Sequence, residues 1–213
     1  MSLSATGYVE LEWKRNRLYP WPEDSWGLTP MFGEGGWCHA CGTPKREQTG
    51  SIVLQRRSGN TYTGAWVPNW RFDVICIEQS LAAVISQRFR VTMIPVEWRG
   101  DQKKSSAMQL VIPSVGRAWF DPTEVRSRAV ERHGVDGARC VECGVWRWMP
   151  LSLKMLPAPE PSGSWDGFDA VASPEWFGDG WKSFRQILVR AELAELLHAH
   201  SSRDLTINPV VPE

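Results

Sequence analysis

Net charge is missing from this sequence: 24 acidic and 24 basic side chains cancel to a formal charge of zero. A chain with no overall field has no electrostatic reason to seek a polyanion, so neither nucleic acid nor an anionic membrane surface is an expected partner. Long apolar runs are missing as well, none approaching the roughly 18 residues that a membrane-spanning helix needs. Met1 to Val9 carries no basic stretch followed by an apolar one, so the expected location of the protein is the cytoplasm, in soluble form. There is also no Gly-x-Ser-x-Gly, no phosphate-binding loop, no His-Glu-x-x-His and no dinucleotide fingerprint. Nothing here nominates a nucleophile and its base, and no small-molecule substrate is expected. Histidine is scarce. His198 and His200 stand two apart, a spacing that does not bring two side chains to one helix face, so favourable charge at a helix end is the simpler role.

What is present in excess is tryptophan, 13 in 213 residues, more than a core alone requires and suited in part to a binding surface. The five cysteines fall into a pattern. Trp37-Cys38-His39-Ala40-Cys41-Gly42 and Arg139-Cys140-Val141-Glu142-Cys143-Gly144 are both Cys-x-x-Cys-Gly, 102 residues apart. In that spacing a tight turn aims two thiolates at one point, and the glycine can take a positive φ that lets backbone N–H groups face the sulfurs. Each turn supplies two ligands, and structural zinc takes four in a tetrahedron. The economical expectation is one zinc ion shared by Cys38, Cys41, Cys140 and Cys143. A redox pair is the alternative, but a thioredoxin-like motif should open a helix, whereas Gly144 to Trp148 reads as extended chain. A catalytic zinc would need an open fourth position, and four thiolates close the shell. His39, between two cysteines, is expected to point outward. Cys76, in the apolar run Val74-Ile75-Cys76-Ile77, reads as a buried small hydrophobe.

The 102-residue spacing also aligns Val9 with Val111, Arg15 with Arg117, Pro20 with Pro122 and Gly35 with Gly137. Downstream the spacing grows to 112, where Phe72 to Ile77, Leu81-Ala82 and Val84-Ile85 match Phe184 to Val189, Leu193-Ala194 and Leu196-Leu197. The extra ten residues are expected in the Pro/Gly/Ser-rich stretch Pro157 to Gly167, as a surface loop. The expected fold is therefore α+β, built of two pseudo-symmetric repeats, 1–107 and 108–213. Each holds one zinc knuckle and a strand, a helix and a strand, and the two are joined by the shared four-cysteine site.

Alternation in Tyr8 to Trp13 predicts a half-buried strand, and Ser51 to Leu54 with Thr61 to Thr63 a hairpin about Ser58-Gly59-Asn60. Phe72 to Ile77 reads as an interior strand, followed by a helix over Glu78 to Arg88 and a strand over Val91 to Trp98 with Pro95 at an edge or bulge. Met108 to Ile112 is extended. Asp121-Pro122-Thr123-Glu124 predicts a capped helix start running to about His133 and closed by Gly134. A strand over Phe184 to Val189, a helix over Ala191 to Ala199 and a strand over Leu205 to Val211 end the chain.

Met155 to Trp181 mixes Glu160, Asp166, Asp169, Glu175 and Asp179 with large aromatics and has no lysine or arginine after Met155. Aromatic anchors among acids suit a contact with a basic protein, so Trp165, Asp166, Phe168, Asp169 and Trp176 are the candidate partner-binding residues. The bland alternative is a solvated loop whose aromatics fold back on the core. The bases Arg88, Arg90, Arg99, Lys103 and Lys104 are diluted by Glu97 and Asp101 and read as solvated surface.

The two Cys-x-x-Cys-Gly motifs at this spacing, in a chain of this length, resemble the myxobacterial double-CXXCG motif proteins, which include the immunity proteins of the swarming-inhibition (Sit) toxin cassettes. Asp179 to Leu197 is similar to that family's closing strand and helix. The resemblance implies a cytoplasmic, non-enzymatic protein that binds and neutralises one cognate toxin delivered by neighbouring cells. A function of another class, a zinc ribbon contacting nucleic acid, should gather its bases on one face, whereas here they are spread along the chain.

Overall fold

The computed structural model describes residues 7–14, 19–55, 62–100, 107–159, 165–178 and 180–210. The first part of the chain forms β1 (Tyr8–Trp13), β2 (Trp21–Pro22), α1 (Leu28–Phe32), β3 (Val53–Gln55) and β4 (Ala65–Trp66). It continues through β5 (Ile75–Glu78), α2 (Gln79–Arg88), β6 (Thr92–Pro95) and β7 (Glu97–Trp98). Then come β8 (Ala107–Val111), α3 (Pro122–His133), β9 (Gly137–Arg139) and β10 (Trp146–Trp148). The last part holds β11 (Ala170–Ala172), β12 (Trp176–Phe177), β13 (Ile187–Arg190), α4 (Ala191–Ser201) and β14 (Leu205–Pro209). The fold is mixed α+β, as expected, with strands outnumbering helices.

Two four-stranded sheets form the frame, ordered β4-β5-β8-β6 and β11-β13-β1-β14. In each, an apolar strand runs straight into a helix: β5 into α2 at Gln79, and β13 into α4 at Ala191. The two helices bury corresponding residues, Leu81, Ala82 and Ile85 on α2 and Leu193, Ala194 and Leu197 on α4. These side chains join Val9, Ile75, Ile77, Leu110, Val189 and Leu205 in a single core beneath both sheets. Helical spacing of apolar residues drives this, since it puts one stripe of each helix against a sheet face.

Each sheet takes its inner strand from the other part of the chain. β1 lies between β13 and β14, and β8 lies between β5 and β6. The registers correspond: Val9 stands opposite Val189 as Met108 stands opposite Ile77, and Tyr8 opposite Arg190 as Ala107 opposite Glu78. Met108 therefore takes the place of Val9, and not Val111, which the 102-residue spacing had selected. Pairing geometry sets this register, because a slip of one residue would turn every side chain to the other face.

Three local expectations are corrected. Val91 to Trp98 is two strands, because Val96 is fully buried and β6 pairs with β8 while β7 pairs in parallel with β3. Pro95 ends β6, an outer strand where a missing N–H is tolerated. Among the described residues β3 is flanked on both sides by β2 and β7 and not by the stretch after it; Thr61 and the turn at 58–60 lie outside the described residues. Phe72 is exposed and precedes β5, so it is no part of the interior strand.

α3 follows the sequence expectation residue for residue. The Asp121 carboxylate accepts from the Thr123 and Glu124 N–H groups at 2.8 and 3.0 Å, and Gly134 closes the helix at φ 77°. The cap satisfies two otherwise orphaned donors, and Pro122 sits where no N–H is needed. Helix α4 runs two residues beyond Ala199, and the Ser201 hydroxyl at its end accepts from the Ala65 N–H of β4 at 2.5 Å.

Candidate metal centre

The two Cys-x-x-Cys-Gly segments adopt one backbone. At the first, the Cys38 N–H donates to Thr43 O at 2.9 Å and the Gly42 N–H to Cys38 O at 2.7 Å. At the second, Cys140 donates to Val145 O and Gly144 to Cys140 O, both at 2.9 Å. Gly42 and Gly144 share a φ of 72°, left-handed in both turns, which a Cβ would resist. The flanks pair alike, Trp37 with Pro44 as an antiparallel bridge and Arg139 with Trp146 in the β9–β10 hairpin.

The turns meet. Cys38 Sγ lies 3.7 Å from Cys140 Sγ and Cys41 Sγ lies 3.6 Å from Cys143 Sγ, and all four sulfurs fall within 4.8 Å of one another. A disulfide would bring two sulfurs to about 2 Å, and all five cysteines are free thiols. Zinc–sulfur bonds of about 2.3 Å in a tetrahedron hold sulfurs about 3.8 Å apart. The donor set, its spacing and its burial therefore fit a structural metal ion.

Three of the four sulfur-bearing residues, Cys38, Cys41 and Cys140, are buried and Cys143 is half-buried. Between the cysteines both turns reach the surface, with His39 and Ala40 exposed in the first and Val141 almost wholly so in the second. Burial pushes the Cys38 thiol up and the Cys41 thiol up to about 12, against the pull of the Cys41 and Ala40 N–H groups on the one and of Thr43 on the other. The Cys143 and Glu142 N–H groups pull Cys140 down to about 6. Burial raises Cys143, but the Val145 N–H and the Thr43 hydroxyl outweigh it and leave a net lowering. Backbone dipoles thus already favour two thiolates, and a bound cation would supply what Cys38 and Cys41 lack. The Thr43 hydroxyl, fully buried, reaches Cys41 Sγ at 2.9 Å. Ser183 Oγ donates to Cys41 O at 2.9 Å, tying the first turn to the end of the chain.

His39 turns away from the sulfurs. Its ring stacks on Trp37 at 4.0 Å and its Nε2 donates to Glu34 O at 2.9 Å. Cys76, in β5, lies fully buried in the cluster that also holds Trp37, and burial raises its thiol well above the ordinary range.

The acidic and aromatic stretch is dispersed by the fold. Trp165 is core, only 3% exposed, with its ring 4.7 Å from Trp119 and 5.4 Å from Tyr8. Tyr8 OH bonds to the carbonyls of Trp165 and Phe168 at 2.8 and 2.7 Å and anchors the segment inward. Asp169 is held by Arg190 at 3.2 Å and accepts from the Arg90 N–H at 2.6 Å. Trp176 sits half-buried in β12 under the Arg185 guanidinium, 4.3 Å from its ring centre. Asp166 and Phe168 are exposed. Glu160 and Asp179 lie outside the described residues. Glu175 accepts from the Trp119 and Phe120 N–H groups at 2.6 and 3.3 Å, a structural duty that its place in an acidic run did not suggest.

Compared with protein-family models, curated proteins and solved structures, the chain matches none. The family resemblance therefore rests on the residues of the chain itself. No helix among the described residues is long and apolar enough to cross a membrane.

Proposed function

We propose that this chain is a non-enzymatic immunity protein, working in the cytoplasm, that binds and neutralises a cognate toxin delivered by neighbouring cells. The observation that carries the proposal is the meeting of the two Cys-x-x-Cys-Gly turns in one cluster of four sulfurs. That cluster is the feature by which the chain resembles the double-CXXCG proteins. Four thiolates fill a tetrahedral shell, so a zinc ion held by Cys38, Cys41, Cys140 and Cys143 has no position left for substrate or water and clamps the fold instead. A clamped scaffold suits a tight binder, because little ordering is left to be done on association.

We also infer that 1–107 and 108–213 are two copies of one unit, interlocked by exchange of their opening strands. The equal strand orders, the corresponding registers and the matching buried faces of α2 and α4 support this. Each copy expressed alone lacks its sheet's inner strand and half of its sulfurs. Neither should fold until both are mixed; a well-folded 1–107 by itself would sink the inference.

The decisive experiment is co-expression with the product of the adjacent gene, read as co-purification and as protection of a sensitive strain. Expected are a stoichiometric complex, protection that saturates at equimolar protein, and one zinc per chain by elemental analysis. Protection at far less than equimolar protein would mean an enzyme. Binding to nucleic acid with a steep salt dependence, and none to the toxin, would mean a zinc ribbon of the other class.

A further inference from the structure

A cleft of about 1080 Å³ opens between the loop after the first cysteine turn, the face of β6 and β8, and the segment β12–β13. Its charge is one-sided although the chain's is not. Lys45, Arg46, Arg71, Arg90 and Arg185 line it, against Glu47 and Asp73. Arg46 is occupied with Phe32 O at 2.7 Å, and Asp169 beside the cleft is already held by Arg190.

The inner wall carries two desolvated guanidiniums. Arg71 has a side chain only 5% exposed; its Nη2 lies 3.4 Å from Asp73 Oδ1, and its Nε finds no hydrogen-bond acceptor among the described residues. Arg185 stacks on Trp176 and donates to Ser173 O at 3.0 Å, and the acids felt by its charge are the same Asp73 and then Glu175, whose Oε1 is taken by backbone N–H groups while its Oε2 is buried without a hydrogen-bond partner. Asp73 is thus shared between two guanidiniums, and Arg71 keeps a buried N–H without an acceptor. A buried cation short of a partner is costly, and an arriving carboxylate relieves that cost with bidentate geometry.

Val91, Ile94 and Ile112 line the same cleft. Along it lies β6, an outer strand whose sheet partner is β8 alone. Among the described residues no backbone group pairs with its other side. An outer strand with an unpaired side is the arrangement by which domains accept an extended peptide as one more strand. A nucleotide would need a phosphate loop or a stacking platform, and the Trp176 ring is already covered by Arg185.

We propose that this cleft is the toxin-contacting surface and that it takes an extended, acidic segment of the partner. Alternate carboxylates reach Arg71 and Arg185, the intervening apolar residues lie on Val91, Ile94 and Ile112, and the backbone runs beside β6. This rests on the toxin-binding reading and moves the contact away from Trp165 and Asp169, which the fold itself employs.

The test is selection of a random ten-residue peptide library on the zinc-loaded full chain. Peptides carrying Asp or Glu at alternate positions should be enriched. Their affinity should fall about tenfold, and lose most of its salt dependence, in the double variant Lys45→Glu/Arg90→Glu, both residues being exposed and free to change without disturbing the core. Arg185→Gln should weaken binding further; if it fails to fold, the exposed pair still decides. Enrichment without acidic bias, equal binding to the double variant, or competition by a single-stranded oligonucleotide as strong as by the peptides would each overturn the proposal. The selection uses no toxin, so its failure leaves the co-purification result standing, and the loss of the toxin reading leaves the selection standing.

Discussion

The two cysteine turns have the same backbone, but their glycines have different surroundings. The first is sealed: a Cβ on Gly42 would come within 2.9 Å of Trp181 Cα and O, and Trp37 beside it is fully buried with Trp181 edge-on at 5.3 Å. The second stands open, and a Cβ on Gly144 would meet nothing within 4 Å. The turn geometry is thus a local property of five residues, whereas its burial belongs to whatever packs on it. One metal ion would join the two turns, which suits a clamp between parts of the chain better than a reactive centre.

The most severe way to break the comparison is to remove a ligand from either side. Cys41→Ser and Cys140→Ser should both abolish zinc retention and loosen the whole chain, since structural zinc binding is worth about 10–16 kcal/mol at neutral pH. Elemental analysis with near-ultraviolet circular dichroism reads both losses. A variant that keeps zinc and a native spectrum would mean that the open turn is dispensable.

Smaller effects should come from the two helices that bury matching faces. Leu81→Ala and Leu193→Ala each empty a fully buried site, and each should cost about 2–5 kcal/mol in urea denaturation of the zinc-loaded protein. Costs within about 1 kcal/mol of each other are expected from such similar settings. A wide gap would show that the two sheets carry the shared core unequally.

Next come the glycines. Gly144→Ala should lose roughly 1–2 kcal/mol, the cost of a left-handed L-residue. Gly42→Ala should lose clearly more, because the Trp181 backbone must also move. Equal losses would mean that the contact over the first turn yields easily and that its sealed character is shallow.

The smallest effect separates the two inner strands. Glu10 of β1 and Gln109 of β8 hold corresponding places in their sheets, Glu10 opposite Leu188 and Gln109 opposite Cys76. Gln109 forms a reciprocal amide pair with Gln48 at 2.9 Å in both directions. Burial raises the Glu10 carboxyl above its usual range, and the Asn208 amide offsets part of that rise. A raised acid stabilises the fold fully below its unfolded pKa, and that contribution is lost as pH climbs through the folded value. Glu10→Gln should therefore flatten the melting temperature between weakly acidic and neutral pH and leave the protein no less stable at pH 7. An unchanged pH profile would show that Glu10 is already neutralised by its neighbours.

Much of this was legible in the sequence because it is local. A Cys-x-x-Cys-Gly turn closes on its own hydrogen bonds, Asp121-Pro122 and Gly134 bracket α3 through caps within reach of their own helix, and helical spacing marks the buried faces of α2 and α4. The 102-residue spacing identified which four sulfurs would meet, since two half-sites of two ligands have one economical way to complete a tetrahedron.

Other features were set only when distant segments came together. The placing of β1 and β8 as inner strands leaves no mark on either strand's own pattern, because alternation says which face is buried and not beside which neighbour. Trp165 and Asp169 read as surface residues in a polar loop, yet Tyr8, Trp119 and Arg190, from remote parts of the chain, draw them in. The cationic cleft is the extreme case. A net charge of zero conceals it, since Arg71, Arg90 and Arg185 lie far apart along the chain and only the folded arrangement places them around one volume. Short-range chemistry is written in adjacent residues and so is fixed by sequence; burial, register and summed charge depend on contacts between separate segments, and those exist only in the folded chain.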